Sequence, residues 1–269
     1  MKKILILGTT GMLGHKLLQK LSQNPLFDVW GTSRNNKNLL KWFGKDLEKK
    51  IISGVDANSF DQFEKTIVET MPDIVINCIG IIKQLPIADD PVVSISINAL
   101  LPHKIATICK KINARMIHIS TDCVFDGKKG NYKEKDFSDA YDLYGKSKYL
   151  GEVHYPHTLT LRTSIIGHEL ETHYGLVEWF LSQKEKVKGF KKAIFSGFPT
   201  VEIAEIIENY IISNESLTGL YQVSSDPISK YDLLNLIAEI YQKNIIIESD
   251  ESILIDRSLD SSLFREKSL

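Results

Sequence analysis

The chain has 269 residues, is 43% apolar, and balances 33 basic against 34 acidic side chains for a formal net charge of −1. That balance, with no long basic run, excludes an electrostatic footprint for nucleic acid, and the apolar share excludes a disordered or fibrous chain. No window reaches the roughly 18 continuous apolar residues of a membrane span, so the expectation is a soluble, unprocessed protein with no membrane contact.

The first residues already read as a strand, Ile4 to Leu7. Further short apolar runs follow at Val29 to Thr32, Ile51 to Val55, Ile74 to Asn77, Arg115 to Ile119 and Leu159 to Thr163. Between them, Leu13, Leu17, Leu18 and Leu21 keep helical spacing, as do Phe60, Phe63, Ile67 and Val68. Six strands alternating with helices predict an α/β fold, a Rossmann-type doubly wound parallel sheet over residues 1–165. Beyond Thr163 the pattern loosens. A helix is expected near Gly175 to Gln183, then a turn-rich stretch, a helix near Val201 to Ile212 and an apolar run from Leu220 to Val223. Another helix begins near Ser229, which has capping-box spacing to Asp232. Residues 166–269 are expected to form a smaller substrate-side lobe with segments that return to the main sheet. Three cysteines, Cys78, Cys109 and Cys123, cannot all pair and are too widely spaced for a disulfide framework or a zinc site. They suit a reducing cytoplasm, and no ligand cluster calls for a metal.

Gly8-Thr9-Thr10-Gly11-Met12-Leu13-Gly14 follows the first strand and opens the first helix. In that context a glycine pattern becomes a mechanism: Gly8 permits the tight turn, Gly11 lets the backbone approach a pyrophosphate, and Gly14 lets helix pack on strand. Thr10, Met12 and Leu13 belong to the same cofactor loop. The second strand leads into Arg34, where an NAD site would carry an acidic residue for the ribose diol. An arginine there pairs with a 2′-phosphate, which favours NADPH and leaves NADH open; the alternative is a solvated loop residue. Asp56 either accepts from the adenine amine or caps the helix that follows. Asn77, Cys78, Ile79 and Gly80 end the fourth strand, where they would line the cofactor groove.

Ser120-Thr121-Asp122-Cys123-Val124-Phe125-Asp126-Gly127 follows the fifth strand, so Thr121 falls where the strand ends and a loop opens. Tyr144 and Lys148 stand at i and i+4 on one helical face. A lysine so placed is expected to lower the phenol from its usual value of about 10, making Tyr144 a proton donor near neutral pH. Threonine, tyrosine and lysine in this order are the constellation of a carbonyl reductase.

With these segments, and with Asp90-Pro91, Asn98-Ala99 before Pro102, Gly151-Glu152 and Leu161-Arg162-Thr163-Ser164, the chain resembles an extended short-chain dehydrogenase/reductase. It is most similar to the dTDP-4-dehydrorhamnose reductase family, and Arg257 to Leu259 faintly matches that family's C-terminal substrate-side motif. The resemblance implies NAD(P)H-dependent reduction of a 4-keto group on a nucleotide-linked deoxysugar, within deoxysugar and cell-surface polysaccharide biosynthesis. It implies Thr121, Tyr144 and Lys148 as catalytic residues, the last two also touching the cofactor, and Asn98 beside the cofactor. Lys83, Cys123, Phe125 and Arg257 would face the substrate, and a homodimer is compatible with the resemblance. Two departures bear on the sugar pocket: Cys123 stands where the family carries tyrosine, and Ile81 to Pro86 differs from its pattern. Cys123 also matches the spacing of the GDP-4-keto-6-deoxymannose epimerase/reductase family, in which a cysteine works with a histidine further along; His173 lies near that histidine's place. The alternatives are a small half-buried thiol and a surface histidine. A rival of another class is a non-catalytic nucleotide-binding subunit, since the regulatory subunit of methionine adenosyltransferase also resembles this family.

Overall fold

The computed structural model describes residues 1–268. Strands β1 (Lys2–Leu7), β2 (Phe27–Ser33), β3 (Ile51–Ser53), β4 (Ile74–Asn77), β5 (Arg115–Thr121) and β6 (Thr158–Thr163) alternate with helices α1 (Gly14–Leu21), α2 (Leu39–Glu48), α3 (Phe60–Thr70), α4 (Pro91–Lys111) and α5 (Leu143–Leu150). The C-terminal part supplies β7 (Ile165–Ile166), α6 (Leu176–Ser182), β8 (Lys186–Phe190), β9 (Ala193–Phe195), β10 (Phe198–Pro199) and α7 (Thr200–Ile206), which continues as a π turn to Ile212. Next come β11 (Gly219–Gln222), β12 (Ile228–Ser229), α8 (Lys230–Ile240), β13 (Ile246–Asp250), β14 (Ile255–Asp256) and α9 (Ser262–Ser268).

The central sheet runs β11-β6-β5-β4-β1-β2-β3, and every pairing in it is parallel. Its central strands, β4 and β6 above all, are buried on both faces, which is why they read as nearly unbroken apolar runs. In β1, Ile4 and Ile6 join one core with Leu17, Leu18 and Leu21 of α1, while Leu5 and Leu7 join the other with Phe63, Ile67 and Ile105. Strand order reverses between β1 and β4, so the crevice beyond their C-terminal ends is the switch point where such sheets bind ligands.

α4 is long and apolar enough to cross a membrane by length and composition, with a mean hydropathy of 1.4, yet 56% of that stretch is buried in the protein. Ile97, Leu101, Ile105 and Ile108 press it onto the sheet. From the C-terminal part, β11 pairs with β6, and Ile203, Ala204, Ile207 and Ile211 complete the core around α1. Arg115, at the start of β5, donates to the carbonyls of Ile211 and Leu217, each at 2.7 Å, and ties this returning segment down. Val177, Phe180, Val187, Leu233 and Ile237 make a smaller core of their own.

Candidate active site

The switch-point crevice begins at Gly8, whose φ of +83° suits glycine and where a Cβ would lie 2.9 Å from Ile79 Cγ1. A Cβ on Gly14 would come within 2.2 Å of the Gly8 carbonyl oxygen, so only glycine lets α1 start hard against the loop. Thr10, Gly11 and Met12 form the accessible rim, whereas Leu13 turns its side chain into the core and offers the crevice backbone alone. Arg34 is exposed directly after β2. Asp56 uses Oδ1 locally, accepting from the backbone and side-chain nitrogens of Asn58 at 2.9 and 3.0 Å.

On the opposite wall, Asn77 accepts from the Ile79 backbone at 3.1 Å and meets His118 Nδ1 at the same distance. Burial pushes the Cys78 thiol up to about 12, so it stays protonated. A Cβ on Gly80 would lie 3.3 Å from Asn98 Oδ1 and 3.9 Å from Lys148 Nζ, so the end of β4, α4 and α5 converge here. Asn98 stands at this wall with its side-chain amide turned to the protein. Its Oδ1 accepts from Ile81 N at 2.8 Å, and its Nδ2 donates to Ile81 O at 3.0 Å and Ser147 Oγ at 3.3 Å. With both amide hydrogens used inside the protein, it shapes the crevice by holding the Ile81 loop and α5.

Thr121 closes β5; its hydroxyl donates to Asp122 Oδ1 at 3.0 Å and accepts from Cys123 N at 3.1 Å. Asp142 caps α5 by accepting from Gly145 N at 2.6 Å. A Cβ on Gly145 would fall 2.3 Å from the Cys123 carbonyl oxygen and 2.5 Å from Ala140 Cβ, and one on Gly151 would fall 1.9 Å from Asn98 O. These two glycines let α5 lie on the Thr121 loop at one end and on α4 at the other, which brings Tyr144 to Thr121.

The expected action of Lys148 on the phenol is not what this arrangement produces. Burial, then Cys123, drives the Tyr144 phenol above its ordinary range, and the neighbouring Thr121 hydroxyl offsets this in part. Lys148 Nζ donates to the Ile119 carbonyl at 2.8 Å, and burial brings its ammonium down to about 8 despite the opposing pull of Glu152 and Cys78. Tyr144 is therefore a protonated donor at neutral pH. Beneath it, Arg162 clamps Glu152 through Nε at 2.8 Å and Nη2 at 2.7 Å, and Ser120 Oγ donates to the same carboxylate at 2.8 Å. This buried network joins β5, β6 and the end of α5, giving a structural role to motif residues named above only by resemblance.

Past the Thr121 loop, Lys83 Nζ lies 4.0 Å and Arg257 Nη1 3.8 Å from Cys123 Sγ. Burial, with Asp122 beside it, pushes that thiol up to about 11. Phe125 corrects another expectation: its side chain is fully buried, stacked on Tyr132 with ring centroids 4.1 Å apart. It serves the site through its carbonyl, which accepts from Arg257 Nε at 2.7 Å. His173 is not brought to Cys123. Its Nδ1 lies 3.6 Å from Glu178 Oε2, in a segment whose Gly175 faces Met12 of the glycine loop. Lys230, the first residue of α8, joins the Cys123 group and was missed, because a lysine opening a helix looks like a solvated one.

Residues 1–252 match the family described as RmlD substrate binding domain. The chain belongs to this family. Its fold is that of the extended short-chain dehydrogenase/reductases. Among curated relatives, the dTDP-4-dehydrorhamnose reductase of Aggregatibacter actinomycetemcomitans is 26% identical over 86% of this chain and 76% of its own length. The methionine adenosyltransferase 2 subunit beta of Danio rerio is 25% identical over 89% of this chain and 74% of its own. Among solved structures, a hypothetical dTDP-4-dehydrorhamnose reductase from Sulfolobus tokodaii superposes with a TM-score of 0.81 at 27% identity, covering 99% of this chain and 94% of that one. The dTDP-4-dehydrorhamnose reductase from Bacillus anthracis, solved in complex with NADP, shares the fold with a TM-score of 0.80 at 22% identity, over 99% of this chain and 92% of that one.

Proposed function

We propose that the protein is an NADPH-dependent reductase of a nucleotide-linked 4-keto-6-deoxysugar, acting in the biosynthesis of a deoxysugar or surface polysaccharide. The observation that carries the reading is the seating of Tyr144 against Thr121, with Lys148 one helical turn on, beside the switch-point crevice. The crevice fits a nicotinamide dinucleotide: Gly8 and Gly14 hold the loop tight between the end of β4 and the start of α1, Gly11 leaves its backbone exposed, and Gly80 stands next to Lys148. Gly11 and the start of α1 would hold the pyrophosphate, Arg34 a 2′-phosphate, and Lys148 the nicotinamide ribose. When bound, that cofactor supplies the hydride. Thr121 turns its hydroxyl from Asp122 to the ketone oxygen and donates to it as charge grows there. Tyr144 then gives its proton to the same oxygen, leaving the secondary alcohol.

Cys123 sits with Lys83 and Arg257, and among the described residues no histidine is hydrogen-bonded to it while His173 pairs with Glu178, which favours reduction without epimerisation. The subunit-beta relative keeps a binding role in view. Loss of NADPH absorbance on adding a dTDP- or UDP-linked 4-keto-6-deoxyhexose, faster than with NADH, is the expected result. NADPH that binds and is never consumed with either nucleotide sugar would make the protein a binding subunit.

A further inference from the structure

A cavity of about 350 Å³ lies between the loop of residues 134–138, the last turn of α5 and strands β6 and β11. It shares no residue with the glycine loop, the end of β4 or the group of Thr121, Tyr144 and Lys148. Its buried wall is Arg162, only 3% exposed, whose planar guanidinium holds five N–H donors in fixed directions. One edge, Nε and Nη2, is spent on Glu152 at 2.8 and 2.7 Å, and Nη2 turns its other hydrogen to Ser138 Oγ at 3.1 Å. Nη1 is buried with no partner among the described residues. It shares the outer edge of the plane with Nη2, so it stands on the side of Ser138, which lines the same cavity.

Gln222 adds to this. It pairs in register with Arg162 across β11 and β6, which sets the two side chains on one face of the sheet. It is fully buried, and neither its Oε1 nor its Nε2 has a partner among the described residues. Buried polar groups left unpaired are rare, because each forfeits its hydrogen bonds to water. Unmet donors gathered at one cavity therefore point to a polar occupant, and the other walls say of what kind. Glu134 and Asp136 balance Lys135 and Arg162 in formal charge. Glu134 Oε1 accepts from Gln222 N at 3.0 Å, Asp136 Oδ2 accepts from Lys133 N at 2.7 Å, and Glu152 answers Arg162. The cavity asks for an acceptor oxygen without asking for negative charge. Phe137, 81% exposed, offers the rest of the occupant an apolar side together with Tyr149 and Leu220.

We propose that this cavity is a binding site for a small neutral ring compound that bears a carboxamide or similar planar acyl group. The acyl oxygen accepts from Arg162 Nη1. The Ser138 hydroxyl, whose oxygen already takes the Nη2 bond, turns its own hydrogen to the same acyl oxygen, and the ring lies against Phe137 and Tyr149. The volume is near the small end of the roughly 300 to 1,000 Å³ of ligand pockets, so it admits one ring with its substituents and not a dinucleotide. Glu152 joins the same guanidinium to Ser120, so the occupant touches the network beneath Tyr144 from outside the crevice. The site does not depend on the reductase reading.

Titration of the protein with benzamide, benzoate and toluene, followed by NMR with and without saturating NADP⁺, tests this. Benzamide is expected to bind saturably and more tightly than benzoate, with toluene the weakest. Its Kd should be the same with NADP⁺ present, since the cavity lies apart from the glycine loop. Ser138→Ala should weaken benzamide about two- to tenfold, the worth of one ordinary hydrogen bond, and Phe137→Ala by about as much for the lost ring contact. Neither side chain belongs to a hydrophobic core, so both variants should fold and keep the wild-type Kd for NADPH. Benzamide that does not bind, that NADP⁺ displaces, or that binds either variant as it binds the wild type would overturn the site, and ordered water would then serve Arg162 Nη1. Benzoate binding more tightly than benzamide would overturn the neutral class of ligand.

Discussion

At the scale of single residues, the proposed reading makes Lys148 the group whose charge meets the cofactor and is most easily lost. Its ammonium titrates at about 8 because burial outweighs the help of Glu152 and Cys78. Below that value the lysine is charged and can hold ribose hydroxyls; above it the charge goes, and with it part of the binding energy. NADPH affinity, followed by fluorescence titration of the unliganded protein, should decline as pH rises through about 8. The Lys148→Met variant should bind more weakly and show no such step. An affinity that stays flat from neutral pH well into the alkaline range in the wild type would mean that Lys148 does not meet the cofactor. Tyr144 is not expected to titrate in this range, since burial has moved its phenol the other way.

At the scale of elements, the glycines of α5 decide where the phenol stands. In an open helix, glycine to alanine stabilises by roughly 1 kcal/mol. At Gly145 the sign should reverse, because the new Cβ would overlap the Cys123 carbonyl and Ala140, and overpacking of this kind costs about 1 to 3 kcal/mol. Gly145→Ala should therefore lower the urea midpoint and cut kcat far more than it changes the Kd for NADPH, because the helix moves off Thr121 while the glycine loop of α1 is untouched. A variant with normal kcat would show that the close approach is not needed. The six strands of the first part were legible in the sequence because both faces of a covered parallel sheet demand apolar residues; Ile74 to Asn77 is the strand as read. Capping was legible too: Ser229 accepts from Asp232 N at 3.0 Å. α4 was not, since Asn98 and His103 break its apolar pattern and the π turn at Ile95–Leu100 shifts its period. The grouping of Thr121, Tyr144 and Lys148 was legible because they lie in two short segments, one at a strand end and one on a helix face, whereas the approach of Lys83 and Arg257 to Cys123 depends on tertiary folding alone. Phe125 was misread for the same reason: its chemistry suits a pocket, and its packing on Tyr132 is visible only in three dimensions.

At the scale of the whole molecule, the C-terminal part does not hang from the sheet but completes it, through β11 and α7, and β11 pairs with β6, the strand whose Arg162 is held by the buried Glu152 after α5. Removing one partner of such a pair strands a buried charge, at a cost of about 3 to 5 kcal/mol. Glu152→Gln should lower stability by that order, with tryptophan fluorescence and far-ultraviolet circular dichroism tracing one coincident transition in urea. Two separated transitions would show that the lobe unfolds independently. All these scales meet in Tyr144: the sheet places Thr121, the glycines seat α5, and burial keeps the phenol protonated. The most direct measurement is single-turnover reduction of a nucleotide-linked 4-keto-6-deoxyhexose by the NADPH-loaded protein, wild type against Tyr144→Phe. General acid catalysis contributes about 10² to 10⁴ in rate, so the phenylalanine variant should lose that much while binding NADPH as before. Reduction at the wild-type rate in Tyr144→Phe would contradict the assignment of Tyr144 as proton donor.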